Sequence, residues 1–412
     1  MNTFIAKRYN VFMALENNYG EFNDSVSSFK QLRPESDGFD HQGKTEILKR
    51  SYITQNLGNS PGLVGVNSCS VKMNLPARGG SYSAADFQQA QLCSELEIPL
   101  SVTVGNKSAD TGTTTASGCT TSILKTSHTT PSSIFGPGNL VFIETNASGE
   151  IGGRWISAID DVGATIDLAG NWENSANWTL DESPQLNDNV FASVNFSPSA
   201  ELRESSCMEI SGISIAGSQP VWKYTGLLGN LKISDGAAQK RVMLEFDLQG
   251  DGCESSETLP AVDIASGATA WPSAPVDLRS LGADFRINGT PCAYQSFSLD
   301  IGNKWAELVN ANKKNGREGY SLTQIATTGK AVVYWDSDLH DKLKLGEMVD
   351  ISWIVGNSAN GIGFHSPSAE LLDVKESEIN GLLAMEISFA PIECNIKDVP
   401  DWTLSFSGRK ES

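Results

Sequence analysis

At 412 residues and 44.1 kDa the chain is too long for one small domain and has room for two or three. Hydrophobic residues make up 39 % but charged residues only 19 %; Gly, Ser, Thr and Asn fill the difference, and they favour an all-β chain. A net charge of −19 repels phosphate and argues against reading or wrapping nucleic acid, while suiting either a channel wall along which nucleic acid slides or plain solubility.

The N-terminal residues 1–8 carry charge with no apolar stretch behind them, so no signal peptide is expected. No apolar run approaches the length of a membrane span. The seven cysteines, Cys69, Cys93, Cys119, Cys207, Cys253, Cys292 and Cys394, are odd in number, scattered and never spaced as CxxC. That pattern suits reduced thiols better than a disulfide framework or a zinc site.

Strands with one buried face follow from period-two alternation. The apolar sets are Val71, Met73 and Leu75; Val242, Leu244, Phe246 and Leu248; Phe297, Leu299 and Ile301; Val349, Ile351, Trp353 and Val355; and Met385, Ile387 and Phe389. Helices are few: residues 83–96 with Ser83 as N-cap, residues 336–345, and residues 304–311 as a helix or an extended loop. Residues 105–121, rich in Gly, Ser and Thr, are expected to form a long loop or arm. Residues 135–168 hold three strand-like runs (135–143, 153–159 and 165–168) and are expected to form a small β insert. Residues 255–275, rich in Ala, Ser and Pro, are expected to link two halves.

The halves echo one another. Each has an alternating strand (69–75; 294–301), a short helix (83–96; 336–345), a strand ending in Val-Gly-Asn (100–106; 351–357) and a strand pair (229–250; 368–391). Duplication of one fold is the expectation. The domains are then 1–104 with 190–254 as the first half, 105–189 as arm and insert, 255–275 as linker, and 276–412 as the second half.

Chemistry is sparse. His41, His128, His340 and His365 sit in unrelated contexts, and no Gly-x-Ser-x-Gly, GxxxxGK[ST] or GxGxxG is present. Residues 247–252 resemble the start of a calcium loop but lack the closing Glu; a turn after a strand explains them better. Trp155, Trp172 and Trp178 cluster in or just after the insert and admit two readings, sugar stacking or packing, of which packing is the commoner for Trp. No catalytic residue, metal ligand or cofactor is expected.

Several stretches resemble one family. Glu16-Asn17-Asn18-Tyr19-Gly20 resembles the Glu-x-x-Tyr-Gly start of phage tail tube proteins. Residues 46–66 resemble its Glu-x-x-x-Arg stretch and Leu-Gly-x-Ser-Pro turn, and residues 70–75 its long strand, with Arg78-Gly79-Gly80 at the end. Residues 195–199 and 226–250 resemble its Tyr-x-Pro-Ser and paired-strand elements. Ser296-Phe297-Ser298-Leu299-Asp300-Ile301-Gly302-Asn303 resembles its Ser-Phe-x-x-Asp-x-Gly-Asn strand, and residues 367–389 its final strand pair, with Gly381 before the last strand. The chain departs from the family in a larger insert and in keeping only Thr327-Thr328-Gly329 of an Asp-Arg-Lys/Arg-x-Pro-Thr-Gly stretch. Both the major tube subunit and a minor tail protein on the same fold stay open.

The resemblance implies a mainly β fold of two related tail-tube-type β-sandwich or half-barrel halves, each with a short flanking helix, plus the insert. It implies a non-enzymatic virion protein, assembled in the host cytoplasm, that joins copies of itself into stacked rings. Three chains would complete a pseudo-sixfold ring if the fold is doubled, and six if it is single. Its other partners would be further tail proteins and double-stranded DNA in transit. The interface residues it suggests are Lys72, Asn74, Ser298, Asp300, Asn106, Thr113 and Thr114. A secreted carbohydrate-binding β protein is the competing reading, and it calls for a signal peptide and paired cysteines.

Overall fold

A computed structural model describes residues 4–48, 63–82, 92–111, 113–144, 151–169, 184–191, 193–199, 204–214, 219–234, 240–258, 262–264, 267–269, 283–312, 316–335, 340–341, 348–357, 360–394 and 399–410. Alternating apolar residues make the chain mainly β, as expected. The first set of strands is β1 (Phe4–Leu15), β2 (Lys30–Leu32), β3 (Asp40–Leu48), β4 (Leu63–Pro76) and β5 (Gly80–Tyr82). Helix α1 (Ser94–Thr103) and β6 (Gly105–Ala109) follow. The insert holds β7 (Thr113–Thr114), β8 (Ile123–Lys125), β9 (Leu140–Glu144), β10 (Ile151–Asp160), β11 (Thr165–Ala169) and β12 (Asn189–Phe191). Next come β13 (Ser193–Pro198), β14 (Ser206–Ser214), β15 (Gln219–Ser234), β16 (Met243–Gly250) and β17 (Gly252–Thr258). The C-terminal part holds β18 (Asp284–Ile287), β19 (Thr290–Pro291), β20 (Tyr294–Asp300), β21 (Asn303–Val309), β22 (Arg317–Ile325), β23 (Thr328–Tyr334), β24 (Val349–Asn357), β25 (Asn360–Ile379), β26 (Leu382–Pro391) and β27 (Thr403–Lys410).

The five alternating sets all bury the predicted residues: Val71, Met73, Leu75, Val242, Leu244, Phe246, Leu248, Phe297, Leu299, Ile301, Val349, Ile351, Trp353, Val355, Met385, Ile387 and Phe389 are at most 2 % exposed. Phe297 stacks on Trp353 with ring centroids 4.5 Å apart, tying β20 to β24 across the core.

The same ladder is laid down twice. In the N-terminal part β1 pairs with β2 and β14, β14 with β15, β15 with β17 and β16, β16 with β4, and β4 with β3. In the C-terminal part β18 pairs with β19 and β24, β24 with β25, β25 with β27 and β26, β26 with β23, and β23 with β20. Even an irregularity recurs: β14 and β15 lose register just after Ser206↔Leu227, and β24 and β25 just after Val349↔Ala369. Counting from that anchor through the partner strands, and allowing for the extra residue that β25 holds between Leu371 and Asp373, sets Lys232 (opposite Glu245) equivalent to Lys375 (opposite Glu386), Lys72 to Lys330, and Gln42 to Asp300. The strand equivalent to β4 is therefore β23, and that equivalent to β20 is β3. The echo expected from sequence aligned residues 69–75 with 294–301 instead, because both are alternating runs and alternation carries no partner information.

Other expectations need correction. Residues 83–91 lie outside the described residues; α1 starts only at Ser94 and runs through Leu100–Thr103, which the sequence suggested as a strand. Leu96, Leu100 and Val102 are fully buried, so packing overrides the β preference of Val102 and Thr103. Residues 304–309 are neither helix nor loop but strand β21, hairpinned with β22. Of residues 336–345 only His340 and Asp341 are described, and both are helical. Residues 105–121 are not one loop: β6 pairs with β13, and β7 with β12. Residues 255–258, the start of the expected linker, belong to strand β17.

The insert strands form the sheet order β7-β12-β9-β10-β11-β8, and a single bridge between Thr115 and Thr126 joins its two ends. Trp155 of β10 is buried and stacks on His365 of β25 at 5.0 Å, fastening the insert to the C-terminal ladder.

Candidate assembly interface

Two ladders meet where β15 pairs with β20, at Lys232↔Asp300 and Ile233↔Leu299. The result is one continuous wall of eight strands, β3-β4-β16-β15-β20-β23-β26-β25. Asp300 is the knot of the junction. Its carboxylate accepts Asn230 Nδ2 at 2.7 Å and the Gly302 N–H at 2.9 Å, and lies 3.0 Å from Lys232 Nζ. Burial alone would raise its pKa; those donors outweigh burial and hold it below the usual carboxylate range. Asn303 donates its side-chain amide to the carbonyls of Gly229 (2.9 Å) and Thr103 (2.6 Å), and Trp305 Nε1 donates to Gly229 (3.1 Å).

Beyond Gly302 the β21–β22 hairpin leaves the wall and lies on the N-terminal ladder. Arg317 Nη1 donates to Asp251 Oδ1 at 2.7 Å and to the Tyr320 hydroxyl at 2.9 Å, while its Nε pairs with Glu307. Tyr19 donates its hydroxyl to Asp251 Oδ2 at 2.8 Å. Its ring lies so close to Gly319 that a Cβ there would sit 2.8 Å from Tyr19 Cε1. Glu16 holds the turn that presents Tyr19: it accepts the N–H groups of Gly20 (2.8 Å) and Gly226 (2.7 Å) and the Ser205 hydroxyl (2.5 Å). Burial raises the pKa of Glu16. The Glu-x-x-Tyr-Gly and Ser-Phe-x-x-Asp-x-Gly-Asn stretches thus converge on this one junction.

One face of the wall is packed and the other is polar. On the polar face four lysines have an acid beside them: Lys72 with Asp247 (3.2 Å), Lys232 with Asp300 (3.0 Å), Lys330 with Glu386 (3.7 Å) and Lys375 with Asp373 (2.7 Å). Both ends of the wall are open edges among the described residues. β3 pairs only with β4, and β25 beyond Ala369 pairs only with β26.

The suggested interface residues divide. Asn74, Glu245, Lys232 and Asp300 are successive cross-strand partners and share the polar face, as do Lys72 and Ser298. Asn74 is half-covered by the turn Ser36–Gly38, which packs on its side chain. Asn106 is exposed on β6 in a different sheet region, paired across from Ser197. Thr113 and Thr114 belong to the insert, where both hydroxyls meet Ser127 Oγ, at 3.2 and 3.0 Å. Lys232, Lys375 and Arg317 escaped sequence reading; the recurrent lysine on equivalent strands becomes a signal only once those strands are paired. Of the two readings for the tryptophans, packing holds for Trp155, which is 2 % exposed; Trp172 and Trp178 lie outside the described residues.

No helix among the described residues is long and apolar enough to cross a membrane. No curated protein matches the chain. A family model described as phage tail tube protein matches residues 10–389. That match covers nearly all of the doubled ladder and the insert between its strands, and the chain therefore belongs to the phage tail tube protein family, whose members are structural components of the phage tail.

Proposed function

We propose that three copies of this chain close into a ring whose lining is a single β-barrel, and that stacked rings form the tail tube through which DNA passes into the host. The observation that carries this reading is the eight-stranded wall, polar on one face and open at both edges. Three such walls supply 3 × 8 strands. With strands about 4.8 Å apart and tilted by about 40°, the barrel backbone would measure about 45–50 Å across, leaving about 35–40 Å between side chains for a duplex. Ring closure would also cover edges that otherwise aggregate. The paired lysines of the polar face leave a wall without a dense cationic patch, which suits a phosphate backbone that must slide and not stick. Assembly would take place in the host cytoplasm, with other tail proteins at the tube ends, and the insert, anchored by Trp155 and His365 on the far side of the fold core, would decorate the outside.

End-on electron-microscopy averages of the purified chain test this. Rings with an open centre, three copies each and six similar lobes, are the expected result, with a mass of three times 44.1 kDa. Six copies per ring would overturn the trimer, and compact single subunits at high concentration would favour a minor tail protein.

A further inference from the structure

The junction inside the chain has a counterpart in the two open edges of the wall. β15 and β20 meet at the point where the first ladder ends and the second begins. By the equivalence anchored at Leu227 and Ala369, the strand corresponding to β15 is β25 and the strand corresponding to β20 is β3. Those are the two open edges of the wall. In the junction inside the chain Lys232 faces Asp300 and Ile233 faces Leu299. Their equivalents are Lys375 and Gln42, and Glu376 and His41.

We propose that residues 370–379 of β25 in one copy pair antiparallel with β3 of a neighbouring copy, in the register that sets Lys375 opposite Gln42. This rests on the ring reading above and deepens it by naming the edges, the register and the charges that select it.

Three observations support that register. The first is charge. With Lys375 opposite Gln42, Asp373 falls opposite Lys44 and Ser377 opposite Asp40, so Lys375 and Asp40 become diagonal neighbours. On the other face Glu376 falls opposite His41. Opposite charges thus meet on the polar face, Asp373 with Lys44 and Lys375 with Asp40, in a strand pair whose members come from different copies. The second is exposure. The Lys375 and Asp373 side chains are 69 % and 48 % exposed, and Gln42, Gly43 and Lys44 are exposed as well. The third is the backbone. The β15–β20 pairing stops where Gly302 (φ +68°) turns the chain out of the wall, whereas β3 continues through Gly43 and Lys44 to Leu48. The edge between copies has room for a longer ladder than the edge within the chain.

The edge also selects against itself. Residues 370–379 carry Glu370, Asp373, Glu376 and Glu378 against one lysine, so two copies of β25 side by side would set carboxylates together.

A charge swap tests the register. Asp373→Lys and Lys44→Asp, each alone, place like charges at every seam of the ring. At about fivefold per seam, three seams lower the formation constant of the ring about a hundredfold, which raises the concentration needed for half-assembly about tenfold. The double variant Asp373→Lys with Lys44→Asp restores assembly to within about twofold of the native chain. Ring formation is read by sedimentation and electron microscopy, and folding of each variant by circular dichroism. A second measurement needs no charge change: Lys375→Cys with Gln42→Cys, oxidised in assembled rings, gives a covalent ladder of copies on a denaturing gel that the native chain does not give. Rings in the native chain with no rescue by the double variant, or with no cross-link, overturn the register and leave the ring reading standing. Absence of rings in the native chain overturns both.

Discussion

Arg317 and Tyr19 hold the two oxygens of one carboxylate. Arg317 Nη1 lies 2.7 Å from Asp251 Oδ1, and the Tyr19 hydroxyl lies 2.8 Å from Asp251 Oδ2. The three residues come from the hairpin of the C-terminal ladder, the bend between β16 and β17, and the turn after β1. The Arg317 and Asp251 side chains are 8 % and 11 % exposed, so the bond between the two ladders is a nearly buried ion pair and its loss leaves a charge stranded.

Arg317→Ala is therefore expected to cost about 3 kcal/mol, towards the lower end for breaking a buried pair, since Tyr19 still satisfies part of Asp251. Urea unfolding measures the total. Hydrogen exchange locates it: protection is expected to fall first in β21 and β22, before the wall strands. Uniform loss across the chain would show that the hairpin is not a separate unit.

Gly302→Ala is expected to destabilise by about 2 kcal/mol or more. The residue has φ +68°, and an added Cβ would meet the Ala326 carbonyl oxygen at 2.2 Å. Gly267→Ala is the control: its φ is +112° but nothing lies within 4 Å of the added atom. Thermal midpoints of the two variants separate the steric clash from the backbone preference, with Gly302→Ala the lower.

Stability is expected to fall as pH rises, in part through Asp110. Burial pushes its carboxyl up to about 8, against the donated amides of Asn139 (2.8 Å) and Asn195 (3.1 Å), which pull the other way. The unfolded chain ionises Asp110 near pH 4, about the usual carboxylate value. A raised folded value means that the contribution is complete below about pH 4 and is lost as pH rises through about 8. The urea midpoint of the native chain should decline over that window, and Asp110→Asn should flatten the decline. Parallel pH profiles would show Asp110 ionised throughout.

Cys69 and Cys207 are expected to resist alkylation in the folded chain. Burial pushes their thiols up to about 12 and about 11. At about pH 8 the Cys69 thiolate is then about one part in ten thousand, and the thiolate is the reactive form. Mass spectrometry after brief iodoacetamide treatment should find both unmodified, and modified after denaturation. Rapid labelling of Cys69 in the folded state would place it at the surface.

Physical period accounts for what sequence could carry. Val71, Met73 and Leu75 alternate with Lys72 and Asn74, so their strand and its buried face follow from local pattern alone, as they do for Phe297 and Ile387. The motif residues Glu16, Tyr19, Asp300 and Gly302 were also visible, and each has a turn or a carboxylate to hold. Helix α1 was displaced because Leu100 to Val104 has the branched residues of a strand; only the packing of Leu96, Leu100 and Val102 makes it helical.

By itself, then, the sequence determined a β-rich chain of alternating strands, an echo between its halves, and family motifs at the right places. Tertiary structure alone decided which strands are equivalent, since any alternating run can pair with any other until hydrogen-bond register is set. It also decided where the first ladder meets the second, through Lys232 and Asp300, which lie 68 residues apart in a chain whose local pattern cannot specify so distant a partner. The open edges of β3 and β25 have the same origin: an edge is the absence of a neighbour, and only the complete ladder shows which strands lack one.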